Sequence, residues 1–235
     1  MSRERGTGSC RRCENPCVAT LLAVTAHPDD ESFLFGGALA VHADAGGRAG
    51  LLCLTDGQVG RTGGLCTREE LGRVRREELY RAVAVLGIAH LFTPGLMDGA
   101  LEGIPDTEGA RLVGECAEAF GADVLLTFGP EGASGHPDHK ACWRWTRAAA
   151  GGRAVYAASW PPDPPLPPRG GEPLPPTAFV DVSSLGDRKR RAFLEHRTQQ
   201  DHLARFDGFL AHMAGREYYH RVAGEGPPLF APYGP

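Results

Sequence analysis

Thr20-Leu21-Leu22-Ala23-Val24-Thr25-Ala26-His27-Pro28-Asp29-Asp30 is the stretch that decides the fold. Its first seven residues form a continuous apolar run with β-branched members, the pattern of a strand buried on both faces. Pro28 then opens a helix, with acids at 29, 30 and 31 in its first turn, where they complement the helix dipole. That helix stops at Gly46-Gly47. The same alternation continues outward. Strands are predicted over 49–54, 88–92, 124–128 and 154–159, and helices over 68–86, 108–120 and 136–150. Strand–helix alternation at this spacing implies right-handed βαβ units, hence an α/β fold with a mostly parallel sheet and its ligand site at the carboxyl edge of the strands. A strand over 177–182 and one long helix over 185–213 complete a domain spanning 18–215. Residues 1–17 are expected to be a disordered leader and 216–235 a tail.

The chain has 235 residues, enough for one large domain whose core needs no staples. Hydrophobic and charged contents of 42 % and 23 % are those of an ordinary globular protein. A net charge of −4 gives no footprint for nucleic acid or anionic lipid. No apolar run approaches the ~20 residues that span a membrane. Arginines at 3, 5, 11 and 12 before the first strand imitate a signal peptide. Cleavage there would remove that strand, so the protein is expected in the cytoplasm. Cys53, Cys116 and Cys142 read as small core residues, and Cys10, Cys13 and Cys17 as part of the leader, although C-x-x-C-x-x-x-C spacing also suits a metal or cluster. Residues 160–176 contain nine prolines and are expected to be a surface loop.

Two segments share one layout, His27-Pro28-Asp29-Asp30 and His136-Pro137-Asp138-His139. Each follows a predicted parallel strand and opens a helix, and in each the first and fourth residues project to one side of the first turn. A catalytic zinc takes about three nitrogen and carboxylate ligands and keeps one position open. His27, Asp30 and one histidine of the second segment supply that set. Asp29 is then free to take a proton from water, and the spare histidine can donate one or polarise a carbonyl. A single such segment would be ordinary helix-initiation chemistry; two together point to a metal site.

Ala26-His-Pro-Asp-Asp-Glu31 with Gly135-His-Pro-Asp-His139 resembles the zinc-dependent N-acetylglucosaminyl deacetylases of the LmbE / PIG-L family. The likeness runs from about residue 20 to 199 and takes in Leu54-Thr-Asp-Gly-Gln-Val-Gly60, Asp98-Gly99, Thr127-Phe-Gly-Pro130 and Lys189…Ala192…His196-x-Thr198-Gln199. It implies a Rossmann-like α/β sandwich. It also implies His27, Asp30 and His139 as metal ligands, Asp29 as general base, and His136 as the residue that stabilises the oxyanion or protonates the amine. Asp138 would orient His136. Arg75 and Asp98 match positions that hold sugar hydroxyls. Gln58 stands where relatives often have Glu, and Ser134 where some have an aromatic hydroxyl.

The expected activity is removal of an N-acyl group, foremost N-acetyl, from a small-molecule amino-sugar conjugate, with Zn2+ as cofactor. The expected partners include neither nucleic acid nor membrane, and a homo-oligomer is compatible with the sequence. Two His and one carboxylate also suit Fe(II), either as the hydrolytic metal or in an oxygenase. The free carboxylate and opposed histidine favour hydrolysis. A non-catalytic sugar-binding relative is a third reading, against which every expected catalytic residue is present.

Overall fold

In the computed structural model, which describes residues 19–161, 170–224 and 231–232, strand β1 (Leu21–Thr25) is the middle one of five parallel strands. Leu21, Leu22, Ala23 and Val24 are fully buried, as a strand covered on both faces requires. It pairs in parallel with β2 (Ala49–Cys53) on one side and β4 (Val124–Thr127) on the other. With β3 (His90–Phe92), β5 (Ala154–Ser159), β6 (Ala178–Asp181), β7 (Arg216–Ala223) and β8 (Ala231–Pro232), the order is β3-β2-β1-β4-β5-β7-β6-β8. The first five strands are mutually parallel; β7 runs antiparallel to both β5 and β6. The α/β class and mostly parallel sheet expected from sequence are those observed.

The chain leaves β1 toward β2 and leaves β4 toward β5, in opposite directions along the sheet. A crevice opens between two such diverging connections, and these two carry the His-Pro-Asp segments. Helix α2 (Leu71–Leu86) packs with α1 (Gly36–Asp44) and with α6 (Gly186–Glu195), while α3 (Asp106–Phe120) packs with α5 (Pro137–Ala148). A short turn, α4 (Gly132–Gly135), precedes α5, and α7 (Leu203–Met213) follows α6. No helix among the described residues is long and apolar enough to cross a membrane.

Three expectations are corrected. The first helix does not begin at Pro28. Asp29 has φ 113°, which no helix accommodates, and the chain enters through a π-helical turn, Glu31–Phe35, before α1. The long helix over 185–213 is two helices. His196, fully buried, breaks it with φ −79° and ψ 66°, and a 3₁₀ turn (Arg197–His202) separates α6 from α7. The expected tail over 216–235 begins as β7, wedged inside the sheet. The expected leader over 1–17, with Cys10, Cys13 and Cys17, lies outside the described residues, as do residues 162–169 of the Pro-rich stretch.

What draws 216–223 inward is visible at Glu217. Its carboxylate accepts the Gly37 and Ala38 amides of α1, both at 2.8 Å, so it occupies the positive end of that helix. It also accepts the Tyr219 hydroxyl at 2.9 Å and pairs with Lys189, whose Nζ donates to Phe33 O at 3.1 Å. A Cβ on Gly37 would lie 2.6 Å from the Glu217 carboxylate, so only glycine admits this approach. Both charged side chains are 2 % exposed. Glu217→Ala should therefore cost about 3–5 kcal/mol by leaving a buried lysine unpaired, and lower Tm by roughly 10 °C or more. The exposed pair Arg73–Glu77 should contribute under about 0.5 kcal/mol, so Arg73→Ala serves as the control in the same melting experiment.

Candidate metal centre and active site

After β1 the backbone turns tightly, with Asp30 N–H donating to His27 O at 3.3 Å and the Asp30 carboxylate accepting the His27 amide at 2.8 Å. After α4, His136 caps α5 and Pro137 occupies its first position, where the missing N–H costs nothing. The two segments thus meet across the crevice. His27 Nδ1 and His139 Nε2 lie 3.3 Å apart. The Asp30 carboxylate is 3.5 Å from the former and 3.2 Å from the latter. Donors around a tetrahedral ion at about 2.0–2.1 Å stand about 3.3–3.4 Å apart; the two nitrogens have that spacing, and the carboxylate comes near it at each ring through a different oxygen, Oδ2 toward His27 and Oδ1 toward His139.

Hydrogen bonds on the far side of each ring decide which nitrogen faces the centre. His139 Nδ1 is 3.0 Å from Gly132 O, which can only accept, so that nitrogen carries the proton and Nε2 presents its lone pair. His27 Nε2 is 3.0 Å from Asp98 and 3.2 Å from Asp138, which leaves Nδ1 bare in the neutral ring. Two lone pairs and a carboxylate thus converge, and a cation fits where they meet. The charge balance agrees. Of Asp29, Asp30, Asp98 and Asp138, Asp29 pairs with the Arg75 guanidinium and the other three with the imidazoles of His27 and His139. Burial opposes ionisation of Asp30, but His139 and His27 hold its carboxyl well below the usual range. Burial lowers His27, but Asp138, Asp30 and Asp98 together raise it well above the ordinary imidazole value.

Two overlapping groups fit a metal less well. His27, His136 and His139 offer atoms within 4.8 Å of one another, but His136 Nδ1 already accepts the Asp138 amide at 3.2 Å. His27, Asp98 and Asp138 also lie close together. There, however, Asp138 is engaged by the Gly99 amide at 2.7 Å and the Leu101 amide at 3.1 Å.

Asp29 lies outside the donor set but lines, with Asp30 and His139, a cavity of about 170 Å³ walled by Trp160 and Phe209. Burial pushes its carboxyl up to about 6, against the pull of Arg75. A carboxyl raised that far is suited to accept a proton near neutrality. His136 is half-buried, its ring 4.7 Å from that of His27, and burial followed by the charges of His27 and His139 lowers its pKa. With Nδ1 accepting from the backbone, its neutral ring carries the proton on Nε2. A larger cavity of about 290 Å³ between α6, α7 and β7 contains none of these residues.

The structure brings all eight sequence-predicted residues to one region but rearranges their relations. The Asp138 carboxylate holds His27; only its backbone amide touches His136. Asp98, expected at sugar hydroxyls, places Oδ1 on His27 and accepts the Val59 amide at 3.0 Å through Oδ2. Arg75, expected at the same hydroxyls, is 3 % exposed and donates to Gly57 O at 2.8 Å, to Pro28 O and to Asp29 at 3.2 Å. The sequence reading missed Trp160 and Phe209 in the cavity wall, and the part played by Glu31. Glu31 stands in the first motif, but nothing in its neighbours says that its side chain turns inward.

A family model described as PIG-L, GlcNAc-PI de-N-acetylase, matches residues 22–150. A probable N-acetyl-alpha-D-glucosaminyl L-malate deacetylase 2 of Bacillus anthracis is 36 % identical over 124 residues, 52 % of this chain and 54 % of that protein. Its namesake in Bacillus subtilis strain 168 is 31 % identical over 201 residues, 79 % of this chain and 85 % of that protein. The chain spans about half the length of most of the curated relatives it matches. Among solved structures, the 4-carboxy-2-hydroxymuconate hydratase GalB of Pseudomonas putida KT2440 superposes with a TM-score of 0.72 at 20 % identity, covering 89 % of this chain and 98 % of that one. At that identity the likeness speaks to the fold alone.

If Asp138 orients His27 as the geometry indicates, Asp138→Ala should weaken divalent-metal affinity about ten- to a hundredfold while sparing every donor atom. Competition with a chromogenic chelator measures this; unchanged affinity would return Asp138 to a purely structural role.

Proposed function

The chain belongs to the PIG-L family of de-N-acetylases, and from that premise we propose that it is a zinc-dependent hydrolase removing the N-acetyl group from an N-acetylglucosaminyl-type conjugate. The observation that carries this reading is the convergence of His27 Nδ1, His139 Nε2 and the Asp30 carboxylate at 3.2–3.5 Å, with Asp29 beside them in one cavity. The names of the two Bacillus relatives support the amino-sugar substrate class. The four described cysteines are all free, in keeping with a cytoplasmic enzyme.

A zinc ion held by His27, Asp30 and His139 would supply Lewis acidity, making water nucleophilic near neutral pH; Fe(II) fits the same donors. The chain's own groups account for the proton movements. Asp29, with its carboxyl raised to about 6, takes the proton of the water that attacks the acetamide carbon. His136 offers its Nε2–H to the oxygen that gains charge as the carbonyl becomes tetrahedral. When the C–N bond breaks, the departing nitrogen receives from the carboxyl of Asp29 the proton taken from the water, leaving free amine and acetic acid, which ionises to acetate. Asp98 and Asp138 keep His27 in its tautomer. Arg75 fixes the direction of Asp29, and we assign it that task in place of a sugar contact.

His27→Ala, Asp30→Ala and His139→Ala should each lose the one zinc per chain that elemental analysis is expected to find. Asp29→Asn should keep the metal and lose about a hundredfold or more in turnover, followed by mass-spectrometric loss of acetyl across a panel of N-acetylglucosaminyl conjugates. Metal retained in all three ligand variants would overturn the site, and wild-type rates in Asp29→Asn would overturn the role of the base.

A further inference from the structure

Asp29 is a non-glycine residue at φ 113°, a conformation that its own preferences do not select. Something outside must hold it. Its carbonyl accepts Ser32 N–H at 3.1 Å and Phe33 N–H at 3.4 Å, which anchors one side of the residue to the π turn. Its amide points the other way and donates at 2.9 Å to Oε2 of Glu31, two residues along the chain. Glu31 is fully buried, and its second oxygen accepts the Ser32 hydroxyl at 2.6 Å and His196 Nε2 at 2.7 Å.

We propose that Glu31 and His196 are positioning residues that hold the Asp29 backbone in its left-handed conformation and thereby aim its carboxylate into the cavity. The proposal rests on the reading of Asp29 as proton acceptor. One carboxylate thus meets three donors, the Asp29 amide on Oε2 and Ser32 and His196 on Oε1. The π turn is the local device. Gly36 N–H closes it on Glu31 O, and the extra residue in the turn accompanies the swing of Glu31 back toward Asp29 while Asp30 faces the two histidines. His196 reaches Glu31 from the break between α6 and α7, 165 positions away in sequence, and among the described residues its Nδ1 has no hydrogen-bond partner. A buried imidazole with one nitrogen unsatisfied is costly to retain, and its bond to Glu31 is what it provides in return. The residues after it secure the neighbouring parts of the site. Thr198 donates its amide and hydroxyl to Glu78 at 2.9 and 2.6 Å, one turn beyond Arg75 on α2, and Gln199 donates to Arg61 O at 2.9 Å in the loop beyond Gly57.

The test compares Glu31→Ala, Glu31→Gln and His196→Ala. In the metal-free chain, residue-resolved hydrogen exchange should show the Asp29 amide exchanging at least about tenfold faster in both alanine variants, while amides of β1 keep their protection. In the zinc-loaded enzyme, both alanine variants should keep one metal per chain. They should lose about ten- to a hundredfold in kcat on an N-acetylglucosaminyl conjugate, with KM within about twofold. Glu31→Gln retains an oxygen for the Asp29 amide and should recover most of kcat and of the protection. Unchanged exchange at Asp29, exchange that rises equally at Asp29 and β1, or a glutamine variant no better than alanine would each overturn the proposal. Absence of any deacetylation would overturn the reading of Asp29 as base, while the exchange experiment would still decide what holds it.

Discussion

Negative charge is concentrated where this protein can least easily solvate it. Asp30, Asp98 and Asp138 crowd two imidazoles at separations of 3.0–3.5 Å, with side chains at most 11 % exposed. Water does little to screen such a cluster, so its members must be satisfied by fixed donors and by positive charge. Backbone amides do part of this. Gly99 and Leu101 hold Asp138, Val59 holds Asp98, and the His27 amide holds Asp30. Each of those amides belongs to a loop at the carboxyl edge of the sheet, so the need to neutralise the cluster also fixes the loops around it. The divalent cation proposed for the convergence of His27, Asp30 and His139 would complete that balance.

The parts of the fold written in short-range pattern were legible. Strand β1 and its parallel partners follow from continuous apolar runs between glycine stops, and the two His-Pro-Asp segments announce their strand-to-helix junctions. What stayed illegible depends on long-range partners. Residues 216–223 look like a polar tail until Glu217 is seen against the amino end of α1 with Lys189 beside it. The expected helix over 185–213 has apolar residues on both sides of the polar run 195–202, and within that run His196 is buried against Glu31 where α6 ends.

The same distinction runs through the site. Residue types at fixed spacing pointed to His27, Asp30 and a second-segment histidine, because metal chemistry restricts which side chains can serve. Orientation is another matter. Whether the Asp138 carboxylate turns to His136 or His27, and whether Arg75 faces a ligand or the underside of Asp29, is set by contacts with residues 18 to 111 positions away. Spacing along one chain segment does not encode such choices. In the structure Asp138 turns to His27 and Arg75 to Asp29.

The late arrival of β7 has a consequence for how the protein is made. The prospective metal donors span residues 27 to 139, so a growing chain displays them all before Lys189, His196 and Glu217 leave the ribosome. During that interval the sheet lacks the strand between β5 and β6, the amino end of α1 is uncapped, and the turn carrying Asp29 has no brace. A nascent chain in that state presents metal-seeking side chains on an unfinished scaffold with an open strand edge at β5. Long-range closure of this kind is slow relative to local helix formation. Maturation of the site is therefore tied to β7, which enters the sheet only after every proposed donor has been synthesised.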